Sequence, residues 1–178
     1  MFKTILKYGV IAGLIVGIPL SVMCVAMKDE PPATWGMVVG YLTMLIAFTT
    51  IFIAIKRQRD IERGGVIRFW PALGIGLGIS FVASIIYVLA WEAALAITQV
   101  DFGATYTNLL IEQEKAKGVS AEALEKFTAE MREFAIQYAN PMFRMPMTFA
   151  EIFPVGVLVS LISAALLRNS GFLPLRRS

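Results

Sequence analysis

The chain has 178 residues, is 57% hydrophobic with a formal net charge of +3, and has a mean hydropathy of +0.70. Soluble domains carry roughly 45–50% apolar residues, and at least four apolar runs here approach or exceed the ~20 residues that cross a bilayer, which argues against a water-soluble fold. With no histidine and one cysteine there is no His-based zinc site, no Ser-His or Cys-His pair and no haem ligand of the common His type.

The first predicted span runs from Ile5 to Met27. Lys3 and Lys7 ahead of it invite comparison with a signal peptide, but the run is too long for an h-region and no small-residue cleavage site closes it. Met23 precedes Cys24 where lipoprotein processing requires a small residue, so the segment reads as a retained helix and Cys24 as packing. The second span, Thr34 to Ile55, follows the turn Lys28-Asp29-Glu30-Pro31-Pro32, short enough to make the first two helices antiparallel neighbours. The third stays apolar from Phe69 to Val100, which at the helical rise is about 48 Å. That exceeds a hydrocarbon core of ~30 Å, so this helix tilts or projects. The fourth runs from Met147 to Leu167, and Pro19 and Pro154 are expected to kink their helices, as membrane spans tolerate.

Between the third and fourth spans, residues 101–146 are too many for a structureless loop. From Ser120 to Asn140 the apolar positions Leu124, Phe127, Met131, Phe134 and Tyr138 recur at spacings of three and four, with a capping Ser120 and a terminating Asn140-Pro141. A shorter helix is expected from Phe102 to Lys117, ended by Gly118, with Phe102, Tyr106, Leu109 and Leu110 as its stripe. The two stripes either pair as an extramembrane hairpin over the mouth of the bundle or lie against lipid headgroups. The expected class is therefore all-α, a polytopic membrane protein of four transmembrane helices with an extramembrane helical hairpin between the third and fourth spans.

Charge sets the orientation, because cytoplasmic segments retain Lys and Arg. Lys3, Lys7, Lys56, Arg57, Arg59, Arg63, Arg68, Arg168, Arg176 and Arg177 fall on one side against only Asp60 and Glu62, while every other acid falls on the opposite side. Both termini are expected in the cytoplasm and the insert outside. Trp35, Trp70 and Trp91 agree with that frame if each marks a headgroup boundary. The basic run after the second span reads as the topogenic signal, with attraction to anionic lipid as the alternative.

Small residues recur four apart at Gly9, Gly13 and Gly17, at Gly36 and Gly40, at Gly74 and Gly78, and at Gly156, Ser160 and Ala164. Such stripes let helix backbones approach closely. Packing within the chain is favoured here over packing between chains, since every span carries the pattern.

Glu92 and Glu151 are ionisable groups within apolar runs, where burial costs several kcal/mol unless the group is paired or wet. Counting along the helices puts both near the outer boundary, at the level of Tyr41 and Tyr87, with Gln99 and Arg144 just outside. A cluster in which Arg144 pairs with Glu92 or Glu151 would make a proton or cation site or a lipid-headgroup site. The same residues can equally be interfacial acids in a wet zone, bonded to tyrosines. The aspartates Asp29, Asp60 and Asp101 lie outside the spans, so no intramembrane aspartyl dyad exists.

Lys7-Tyr8-Gly9 with Ala12-Gly13, Gly40-Tyr41-Leu42-Thr43-Met44 leading to Lys56-Arg57-Gln58-Arg59-Asp60, the Gly64-Gly65 turn, Ser84 to Glu92, and Glu151 to Pro154 occur in an order that resembles the bacterial domain-of-unknown-function family 4199. The resemblance spans essentially the whole chain and implies a small four-span bacterial inner-membrane protein, with the insert in the periplasm of a Gram-negative host. It brings no activity and no catalytic residues. The expected function is a noncatalytic envelope-accessory, scaffold or interaction protein. A small oligomeric transporter or channel using Glu92 and Glu151 is the alternative, and lipid or hydrophobic-ligand binding under the external cap is a third reading. The expected partners are the lipid bilayer and a second copy or another membrane protein, with no nucleic acid, no metal and no cofactor.

Overall fold

The computed structural model of the chain describes residues 1–26 and 34–174. The Lys28 to Pro32 turn, the end of the first expected span at Met27, the side chain of Trp35, and Arg176 and Arg177 lie outside the described residues. The described part is helical throughout: α1 (Phe2–Ala26), α2 (Thr34–Arg57), α3 (Phe69–Thr98), α4 (Phe102–Ala116), α5 (Ala121–Ala139) and α6 (Pro141–Leu167), with no strand. α1, α2, α3 and α6 are long and apolar enough to cross a membrane. The chain is thus an all-α, multi-pass membrane protein.

α3 is the centre of the bundle, with α1 against one side and α6 against another, while α2 closes the ring by touching α1, α6 and α3. The α1–α3 contact is made by glycine. A Cβ on Gly9 would stand 2.6 Å from Val82 Cβ, on Gly13 2.6 Å from Ile86 Cβ, and on Gly17 2.9 Å from Ala90 Cβ, so the stripe on α1 is the seat of a ridge on α3. The α3–α6 contact is reciprocal: Gly76 faces Ser160 and Gly156 faces Ser80, with the two hydroxyls 3.2 Å apart. Gly78 takes Ile5. Gly9, Gly13, Gly17, Gly78 and Gly156 thus each face a neighbouring helix of the same chain. Gly76, which falls outside the four-residue register of Gly74 and Gly78, is the contact that the spacing concealed. Gly40 and Gly74 depart from expectation, for open space lies beyond each of them. Between the helices, Phe48, Ile51 and Ile55 of α2, Ile75 and Ile79 of α3 and Ile152 of α6 are fully buried.

α2 passes at Arg57 into a π-helical turn, Gln58–Glu62, where the sequence suggested an end at Ile55. The basic run there is only partly a solvated signal. Arg59 is completely buried, donates from Nε to Asp60 at 2.7 Å, and donates from its two terminal nitrogens to the carbonyls of Phe172 (2.9 Å) and Leu173 (2.7 Å). Lys56 holds the other oxygen of Asp60 at 2.5 Å. The segment after α6 is thereby strapped across the end of α2, with Phe172 set edge-on to Phe52. Gly64 and Gly65 both have positive φ, the conformation in which glycine alone is unstrained, and Gly65 N–H returns to the Arg59 carbonyl at 2.9 Å.

At the opposite end α4 and α5 pack on each other, α4 capped by Asp101 on Ala104 N–H (3.0 Å) and α5 by Ser120 on Ala123 N–H (3.3 Å). Asn140 ends α5 and, by accepting from Met142 N–H at 3.0 Å, also starts α6. The last helix therefore begins at Pro141 rather than Met147. Proline at the first helical position forgoes no bond, because that N–H has no helical acceptor.

Candidate functional site

α3 and α6 have 30 and 27 residues, about 45 and 40 Å, and both outrun a hydrocarbon core of ~30 Å. Their ends meet beside α4 and α5. There Arg144 of α6 meets Glu92 of α3 in a two-pronged pair, Nε to Oε1 at 2.7 Å and Nη2 to Oε2 at 2.6 Å, with both side chains mostly buried. The remaining terminal nitrogen of Arg144 donates to the Tyr138 carbonyl at 3.2 Å, so one guanidinium joins α3, α5 and α6. Glu92 is thus neutralised by a planar fork suited to a carboxylate.

Beside this clasp, Trp91 departs from the expected headgroup belt. It is buried, its indole N–H donates to the Tyr138 hydroxyl at 2.9 Å, and its ring stands edge-on to Phe102 at 4.9 Å. Phe102 in turn stacks on Tyr106. Phe102 of α4 and Tyr138 of α5, legible in the sequence as members of apolar stripes, meet at Trp91. Burial pushes the Tyr138 hydroxyl up to about 12.

Under the hairpin lies a cavity of about 480 Å³ to which all six helices contribute, from Met23 of α1 and Tyr41 of α2 to Phe134 of α5 and Glu151 of α6. Its walls are mainly apolar and aromatic. Of the expected cluster, Tyr41, Tyr87 and Glu151 line it, as do Gly36 and Gly40. Glu92 and Arg144 stand apart, engaged with each other. Gln99 joins neither group, because it caps α3 in a left-handed conformation and its side chain turns back to the Ala96 carbonyl at 2.5 Å.

Among the described residues, Glu151 is the single charged residue of the lining, exposed there, and forms no ion pair. Tyr106 and Tyr138 add two further ring hydroxyls that the sequence placed only as apolar positions. Between α1 and α2 a smaller recess of about 50 Å³ shares Leu20, Met23, Gly40, Met44 and Tyr87 with the main cavity and continues it sideways. It exists because Gly40 projects nothing into that space. Among the described residues no group of three or more Cys, Asp or Glu could hold a metal ion.

No curated protein and no solved structure matches the chain. A family model matches residues 7–169, nearly its whole length, and the chain therefore belongs to the family described as protein of unknown function (DUF4199).

Proposed function

We propose that the chain is a noncatalytic inner-membrane protein, with both termini in the cytoplasm, that receives a hydrophobic or amphiphilic ligand beneath the α4–α5 hairpin. The cavity carries this reading. Its volume of about 480 Å³ falls in the range of sites for small ligands, and its walls have the usual composition of such sites, apolar and aromatic with a few polar groups. Met23, Met37, Met44 and Met147 line it with side chains that adapt to irregular apolar shapes. A scaffold role through the hairpin has less support, since Phe134 and Tyr138 of α5 turn toward the cavity instead of outward. Ion transport has less support too, since Glu92 is already held by Arg144.

The test is native mass spectrometry of the chain released from membranes before and after delipidation. A retained adduct of lipid size, lost when Gly40→Phe fills the recess, is expected; a bare chain under gentle release overturns the reading. Sidedness is checked in a Cys24→Ser background with an impermeant maleimide on intact cells stripped of their outer membrane. Glu112→Cys in α4 should label and Arg63→Cys should not.

A further inference from the structure

This inference rests on the ligand-binding reading above and concerns the chemistry of the ligand. Among the described residues, the lining of the cavity includes one charged side chain, the carboxylate of Glu151, and no Lys or Arg. The nearby cation, Arg144, has two nitrogens on Glu92 and a third on the Tyr138 carbonyl. Among the described residues an anionic head would meet a carboxylate and no donor cation, whereas an ammonium would meet its complement. Four tyrosines, Tyr41, Tyr87, Tyr106 and Tyr138, line the same space. Aromatic faces attract ammonium ions, most strongly where water is scarce. The recess between α1 and α2 leads away from this head region along Gly40 and Met44 toward the flank of the bundle.

We propose that the cavity binds a cationic amphiphile, its ammonium head paired with Glu151 among the tyrosines and its alkyl chain leaving past the α1–α2 recess. Two sources share this chemistry: an aminophospholipid of the surrounding bilayer, with its phosphate left at the mouth, and a free alkylamine.

Trp91 lines the cavity and gives the signal. In a full-length chain carrying Trp35→Phe and Trp70→Phe, Trp91 is the sole remaining indole of the three. Its fluorescence would be titrated in neutral-detergent micelles with 6-bromoundecyl-trimethylammonium, 6-bromoundecanol and 6-bromoundecanoate, the mid-chain bromine lying on the cavity side of the recess, within quenching reach of Trp91. The ammonium probe should quench at about tenfold lower concentration than the alcohol, and the carboxylate should be the weakest, a ratio of the size a single charge-assisted contact supplies. Glu151→Gln should bring ammonium and alcohol to the same affinity, Glu151→Asp should retain the preference, and Glu151→Lys should invert it toward the carboxylate.

Saturable quenching by all three probes alike, unmoved by Glu151→Gln or Glu151→Lys, overturns the charge assignment and leaves the cavity reading standing. If no probe quenches saturably, or if Gly40→Phe leaves all quenching unchanged, the cavity reading fails as well. Nanodiscs separate the sources. Chain-brominated phosphatidylethanolamine that quenches Trp91 more than brominated phosphatidylglycerol identifies a bilayer lipid. Equal quenching by the two lipids together with a strong ammonium-probe preference identifies a free amine.

Discussion

Arg144 and Glu92 hold one another through two parallel hydrogen bonds of 2.7 and 2.6 Å, and the same guanidinium reaches the Tyr138 carbonyl. Three helices thus converge on one planar cation at the end of the bundle. A carboxylate in an apolar run is costly alone, and this pairing is what makes Glu92 tolerable. Among the described residues it also leaves Glu151 as the charged group of the cavity.

Removing either partner should destabilise the bundle by roughly 1–3 kcal/mol, the usual cost of losing hydrogen bonds to a charged group. Thermal melts of Glu92→Gln, Arg144→Leu and the double variant in detergent give the coupling. Arg144→Lys should recover little, because an ammonium cannot reproduce the fork. Additive single effects would show that the pair is only an interfacial contact.

Glycine contacts should sort by what a methyl group would strike. Gly9→Ala and Gly13→Ala place a Cβ 2.6 Å from the Cβ of Val82 or Ile86, neither of which can swing away, and should cost about 1–3 kcal/mol. Gly74→Ala meets open space and should change stability by less than about 0.5 kcal/mol. Melting temperatures of the three variants decide it.

Arg59→Gln should free the segment after α6, since Arg59 holds the carbonyls of Phe172 and Leu173 and is fully buried. Breaking such a buried set costs about 3 kcal/mol or more. Hydrogen exchange near residue 172 should speed up while exchange in α3 stays slow. Unchanged protection of that segment would mean that the Phe172–Phe52 contact suffices.

Alkali should loosen the hairpin. The folded state holds the Tyr138 proton more tightly than the unfolded chain, so the stability it contributes is level below pH 10.0 and falls as pH rises through about 12. The loss should reach roughly 2 kcal/mol. Trp91 fluorescence, which depends on its 2.9 Å bond to that hydroxyl, should change over the same interval, and Tyr138→Phe should remove this part of the transition.

Four membrane helices, two amphipathic helices and the cap residues Ser120 and Asn140 were all legible in the chain. Apolar run length, the three-and-four spacing of α5 and capping side chains are local properties, written in neighbouring residues. The stripe Gly9-Gly13-Gly17 was readable for the same reason, although its partner on α3 was not. Charge complementarity also pointed to Arg144 as the partner of an intramembrane acid. Only the packed structure chose Glu92 over Glu151, because that choice depends on how far α3 and α6 slide past each other at a contact 52 residues apart in sequence. The same packing turned Trp91 from the expected headgroup belt onto Tyr138, left Gly40 and Gly74 facing open space, and drew Arg59 into the interior. Above all it made the cavity. A void is defined by what six helices fail to fill between them, and no single segment of sequence encodes that.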